Sequence, residues 1–224
     1  MNNSRIAELL EPFFARGADN RLTDAQLAQI STYIDLLLRW NARINLTAIR
    51  DPEEIVTRHF GESLFAARHL FPRRRVQSVT AEPAASGRVT LADIGSGAGF
   101  PGVPIKLWHP EVSLTLIESN QKRAVFLREV CRQLKLRDVN VENARAEALA
   151  GQAFDTVTLR AVERFTDTLD AAFSLVRPSG RLALLISSSQ VKTAESAIPQ
   201  FRWNAPTPIP LSESRRLLIG TNEP

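Results

Sequence analysis

The chain has 224 residues, 44% hydrophobic and 23% charged, with a single cysteine, so no internal disulfide framework is possible and a reducing cytoplasm is the expected home. Its length suits one large domain or one domain with an appendage. The net charge of +4 and the pI of about 9.8 leave a polyanionic partner open without requiring one, because arginine dominates and Lys106, Lys122, Lys135 and Lys192 are the only lysines.

The opening MNNSRIAELLEPFF lacks the basic-then-apolar order of a signal peptide, and no apolar run is long enough to span a membrane. The first third reads as helix. Thr23 and Gln26 form a capping box ahead of Leu27, Ile30, Ile34, Leu37 and Leu38 at helical spacing. A second start signal follows, with Asp51 as N-cap, Pro52 at the first helical position and two acids in the first turn. Residues 1–72 are therefore expected to form a helical extension. Residues 73–88 are rich in Pro, Gly and small polar residues and read as a linker carrying the basic run Arg73, Arg74 and Arg75. A solvated loop and an RNA contact both fit that run.

From residue 89 to 224 strands alternate with helices. VTLADI, SLTLIES, VNVENA and FDTVTLRA read as strands, a fifth follows a turn at Pro178–Gly180, and SRRLLIG reads as the last. This order predicts an α/β domain with an open, mostly parallel sheet covered on both faces, of Rossmann-like type. Cys131 falls in a helical pattern and reads as a buried thiol.

Directly after the first strand come Gly95, Gly97, Gly99 and Gly102. Glycine there permits a sharp turn and close backbone approach by a ligand at the carboxyl edge of the sheet. Two ligand classes compete. A dinucleotide pattern, G-x-G-x-x-G, occurs at Gly97, Gly99 and Gly102, but it starts late and contains Pro101. The other pattern, an acid followed by G-x-G-x-G, is Asp93, Gly95, Gly97 and Gly99, and it suits S-adenosylmethionine. That ligand carries an ammonium and no phosphate, so Asp93 could hold it directly or through water. Glu118, at the end of the second strand, would accept the ribose hydroxyls, as it would for NAD. Ala146 and Glu147, after the third strand, would lie by the adenine. Arg160, at the end of the fourth, could clamp a phosphate or hold a guanine. His59 and His69 lie on an amphipathic helix and are assigned no proton transfer.

The segments LLLRWNARINLTAIRDPEEIVTRHF, LADIGSGAGFPGVPIKLWHPE, LIESNQKRAVFLREVCRQLKL, ARAE and FDTVTLRAV resemble the bacterial ribosomal small-subunit RNA guanine-N7 methyltransferases, the glucose-inhibited division protein B family. The resemblance spans nearly the whole chain. It implies a methyltransferase that uses S-adenosylmethionine to modify N7 of a guanine in 16S ribosomal RNA, in the cytoplasm, with no metal. It places cofactor contacts on Gly95, Phe100, Ala146, Glu147 and Arg160, with Glu118 at the ribose. N7 has a lone pair and no proton, so no general base is implied and Arg160 is expected to position the reactants. Three departures stand out. Ile186 and Ser187 replace a lysine-glycine pair, Glu62 replaces an aspartate, and the tail lacks closing lysines. The first and third remove positive charge near the substrate side. Competing expectations are a methyltransferase for another RNA or a small molecule, a non-catalytic RNA-binding assembly factor, and a NAD-dependent reductase.

Overall fold

Helix α1 (Asn3–Leu10) starts where the Asn2 side chain accepts from the Arg5 amide. The capping box holds at α2 (Asp24–Asn41): Thr23 Oγ1 accepts from Gln26 N, and Gln26 Oε1 accepts from Thr23 N. Asp51 caps α3 (Pro52–Glu54), accepting from Glu54 N at 2.8 Å. The run continues as a π-helical segment (Ile55–Gly61) and then as α4 (Glu62–Leu70). Apolar spacing predicted one ordinary helix here. It carries no signal for the widened turn, a feature that often marks functional positions. These coordinates are a computed structural model describing residues 1–14, 21–73, 88–161 and 165–223. Arg74, Arg75 and most of the expected linker lie outside the described residues.

The second part contains β1 (Thr90–Ile94), α5 (Gly102–Trp108), β2 (Ser113–Ile117), α6 (Gln121–Gln133), β3 (Val139–Glu142), β4 (Phe154–Arg160), α7 (Phe165–Ser174), β5 (Val176–Ser187), α8 (Val191–Ala197), β6 (Phe201–Trp203), β7 (Thr207–Pro208) and β8 (Arg215–Asn222). The sheet order is β3-β2-β1-β4-β5-β8-β6, with β7 also paired to β8. β1 to β5 are mutually parallel, and β6, β7 and β5 all pair antiparallel with β8. The order reverses between β1 and β4, so the ligand crevice of an open α/β sheet belongs at the end of β1. The expected turn at Pro178–Gly180 is instead a bulge inside β5. Phe154 pairs with Val176 and Thr156 with Arg181, so β5 carries three extra residues there, with Ser179 at φ 61.

Successive strand residues face opposite sides, and each side has its own core. Leu91, Ala183 and Leu185 join one cluster with Ile34, Phe60, Leu64, Trp108 and Phe126. Ala92, Leu182 and Leu184 join another with Leu169 and Ala172. The N-terminal helices are therefore half of a core shared with the sheet. Side chains tie the halves further: Gln26 Nε2 donates to Leu107 O, and Gln29 Nε2 donates to Leu134 O. Arg73 belongs to this junction. It donates to Arg21 O and Trp108 O and lies 3.7 Å over the Trp108 ring, so it serves the fold.

Candidate active site

The glycine loop leaves β1 at Gly95 and closes at the start of α5. Its amides are nearly all consumed internally. Ser96 N donates to Ile117 O, Gly97 N to Glu118 Oε2, Gly99 N and Phe100 N to Ser96 O, and Gly102 N to Asp93 Oδ2. A pyrophosphate needs free loop amides and a free helix N-terminus. Here the donors are taken, two of them by carboxylates.

Two glycines are required for different reasons. Gly97 sits at φ +56, where a Cβ would meet only the Gly95 carbonyl oxygen at an ordinary 3.7 Å, so a side chain is opposed by the backbone conformation rather than by crowding. Gly99 sits at φ +90, and a Cβ there would lie 2.3 Å from the Tyr33 hydroxyl. Tyr33, on α2, donates to Ala98 O and stacks on Phe100 with 5.3 Å between ring centroids. The helical extension thus presses directly on the loop.

On the other side of the loop is a cavity of about 280 Å³ at the tips of β1 and β2. Gly95, Ile94, Ile117, Ala146, Glu147 and Asp167 are among its lining. The lining mixes apolar residues with two carboxylates, Glu147 and Asp167, and one guanidinium, Arg145, a set that suits an adenosyl ligand with both polar and cationic groups. Glu118 lies behind Gly97, with Oε2 accepting from Gly97 N and Oε1 from Asn120 N. A carboxylate has about four acceptor positions, so capacity remains on both oxygens.

The extension side carries a second constellation. Glu62 is 1% exposed and receives Arg58 Nε at 3.3 Å, Arg160 Nη2 at 3.0 Å and Arg215 Nη2 at 3.4 Å. Arg160 also bonds the Arg58 carbonyl and His59 Nδ1. An arginine can only donate, so Nδ1 accepts and the His59 proton lies on Nε2, which donates to Thr47 Oγ1 at 2.8 Å. Burial, and then Arg160, Arg58 and Arg215, push His59 down to about 3, so it stays neutral. Asn41 fixes Thr47 in turn: Oδ1 accepts from Leu46 N and Thr47 N, and Nδ2 donates to Thr47 O. The RWNARINLT segment is thus the start of a relay from α2 to the end of β4.

Not all the sequence-derived site residues meet at the cavity. Gly95, Ala146 and Glu147 line it, and Gly97 and Glu118 form the adjoining loop. Asp93 does not line it. It is fully buried, and its oxygens accept from Thr158 Oγ1 and Gly102 N, so it fastens the loop to β4 and α5. Strand alternation explains this, because Asp93 points to the opposite face from Ala92 and Ile94. Phe100 is 5% exposed, stacked between Tyr33 and His59. Arg160 has all three nitrogens engaged within the protein. Both lie on the extension side. Burial pushes Cys131 up to about 11, which fits an inert thiol. Sequence reading missed Tyr33, Arg58 and Arg215. Tyr33 looked like one core residue among many, and Arg215 arrives only through β8 pairing, where it stands opposite Ser187. That arginine supplies positive charge at the edge where Ile186 and Ser187 do not.

A parallel sheet reversing at β1, a glycine loop whose amides are mostly bonded within the protein, and a cavity at the strand tips with two carboxylates define an S-adenosylmethionine-dependent methyltransferase. Residues 26–203 match the model of the family described as rRNA small subunit methyltransferase G, and the chain belongs to that family. A Ribosomal RNA small subunit methyltransferase G from Xanthomonas euvesicatoria pv. vesicatoria is 39% identical over 184 residues, covering 81% of this chain and 79% of the relative. One from Xanthomonas campestris pv. campestris is 35% identical over 225 residues, covering 98% of each. The solved ribosomal protein L11 methylase from Lactobacillus delbrueckii subsp. bulgaricus matches with a TM-score of 0.57 at 13% identity, over 74% of this chain and 79% of that one, a likeness of fold. Among the described residues no helix is long and apolar enough to cross a membrane, and no group of ligating side chains could hold a metal.

Proposed function

We propose that the chain methylates N7 of a guanine in 16S ribosomal RNA, with the adenosyl part of S-adenosylmethionine held against Gly95, Ala146 and Glu147 and its ribose reached by Glu118. Bound there, the cofactor supplies an electrophilic methyl on a sulfonium. The observation that carries the reading is the cavity beside Gly95, lined by two carboxylates, next to a loop whose amides are mostly spent on carbonyls and carboxylates rather than left for a phosphate.

The side chains then have one task, alignment. Guanine N7 attacks with a lone pair and loses no proton, so a base is unnecessary. His59 agrees with this, since both ring nitrogens are bonded and burial keeps the ring neutral. Orientation alone supplies up to roughly 7–11 kcal/mol in favourable systems. Arg160, Phe100 and Asp93 act as positioning residues, because they fasten the glycine loop to β4 and to the extension.

Mass mapping of methylated nucleotides in 16S ribosomal RNA, from cells with and without the protein, tests this. One methylguanine should disappear with the protein and return when it is restored. An unchanged methylation map would overturn the proposal.

A further inference from the structure

Around Glu62 the described residues place three guanidinium groups, those of Arg58, Arg160 and Arg215, against one buried carboxylate. His59 is neutral and offsets nothing. Glu54 lies 3.6 Å from Arg58, but both side chains are about half exposed, so water and salt weaken that pair. Asp93 also acts on Arg160, but its own bonds go to Thr158 and Gly102, so the positive charge left over at the carboxyl edge of the sheet sits on Arg58 and Arg215. The three arginines are not equivalent. Arg160 is 9% exposed and fully bonded, whereas Arg58 is 44% and Arg215 21% exposed. Arg215 Nε is buried without a hydrogen-bond partner, and its contact to Glu62 is long. Arg215 is thus held less tightly than Arg160, and the exposed part of its guanidinium side chain can meet an anion at the surface.

The position is also informative. Ile94 pairs with Leu159, which sets Arg160 level with Gly95, one strand spacing away, about 5 Å. Arg58 is presented by the π-helical segment, and Arg215 by the first residue of β8. Two forked cations from different elements, oriented by one carboxylate, match a phosphodiester, which has two charged oxygens and favours arginine in bidentate contacts.

We infer that Arg58 and Arg215 together clamp a backbone phosphate of the substrate RNA at the edge of the methyl-transfer site, with Glu62 and Arg160 holding the two guanidinium groups in place. This rests on the ribosomal RNA reading above. It moves the substrate contact from Arg160, the residue the sequence suggests, to two arginines that touch neither the cavity nor each other in sequence.

The test uses the full chain with 30S particles or stripped 16S RNA. The double variant Arg58→Gln/Arg215→Gln should raise the RNA KM at least tenfold. It should also lower the salt slope of RNA binding by roughly 0.7–0.9, the value of one phosphate contact. Its affinity for S-adenosylmethionine should stay within about twofold of the unmodified protein, which reports a folded cavity. Arg215→Lys should restore the salt slope but only part of the KM, because an ammonium keeps the charge and loses the fork. An unchanged slope and KM in the double variant would overturn the clamp. So would loss of cofactor affinity in parallel with RNA affinity, which would make the arginines props of the loop. If the unmodified protein methylates neither RNA, the ribosomal RNA reading falls, and the clamp with it. Normal turnover by the unmodified protein and by the double variant would leave that reading standing and remove the clamp alone.

Discussion

The two sides of the glycine loop are built differently. On the cavity side, Gly95, Ala146 and Glu147 leave space and offer acceptors. On the extension side, Tyr33, Phe100, His59 and Arg160 leave almost none, and each ring or donor is engaged. One face is free to receive a ligand because the other is fastened. A loop of glycines has high chain entropy, so its shape must be imposed from outside. Here the helical extension imposes it. The difference teaches that residues on one side should act through stability and those on the other through affinity.

Glu62→Ala should break the fastened side most severely. It leaves Arg58, Arg160 and Arg215 without their buried counter-charge, and losses of about 3–5 kcal/mol are usual for such a deletion. Urea unfolding measures it. A loss below about 1 kcal/mol would show that the arginines relax into solvent and that Glu62 holds nothing.

Asp93→Asn sharpens the comparison through pH. Burial raises the Asp93 carboxyl from 3.8 to about 6, against opposing hydrogen bonds from Thr158 and Gly102. Between those values the unfolded chain is ionised while the folded protein keeps its proton. Native stability therefore falls as pH rises from about 4 to 6. The asparagine variant has no such fall. Its stability relative to the parent should improve by up to about 3 kcal/mol between pH 4 and pH 7. Thermal unfolding across that range checks it, and a constant difference between the two proteins would refute the assignment.

Tyr33→Phe should have a smaller effect. The ring keeps its stacking on Phe100, and only the hydrogen bond to Ala98 O is lost, about 1 kcal/mol. Because that bond props the loop, S-adenosylmethionine should also bind several-fold more weakly in calorimetry. Weaker folding with unaltered cofactor affinity would separate the extension from the site.

Glu147→Ala should barely touch stability, within about 0.5 kcal/mol, since Glu147 is exposed at the cavity. Cofactor affinity should nevertheless fall about tenfold. If stability fell while affinity held, the two sides of the loop would have exchanged roles.

The sequence by itself determined the parts that depend on neighbours along the chain. Thr23 with Gln26 and Asp51 with Glu54 announce helix starts, because a cap acts within one turn. Alternating apolar runs set β1 to β5 and β8, and the spacing of Asp93, Gly95, Gly97 and Glu118 marked the loop and its ligand class. Tertiary structure decided which face each side chain takes and which distant residues meet. Asp93 and Arg160 are close to the cavity in sequence, yet strand alternation turns both toward the extension. Arg58, Arg160 and Arg215 come from three separate elements and share Glu62 only because β8 runs antiparallel beside β5 and the π-helical segment crosses the end of β4. Local patterns record a residue's neighbours along the chain, and the site is made from neighbours across it.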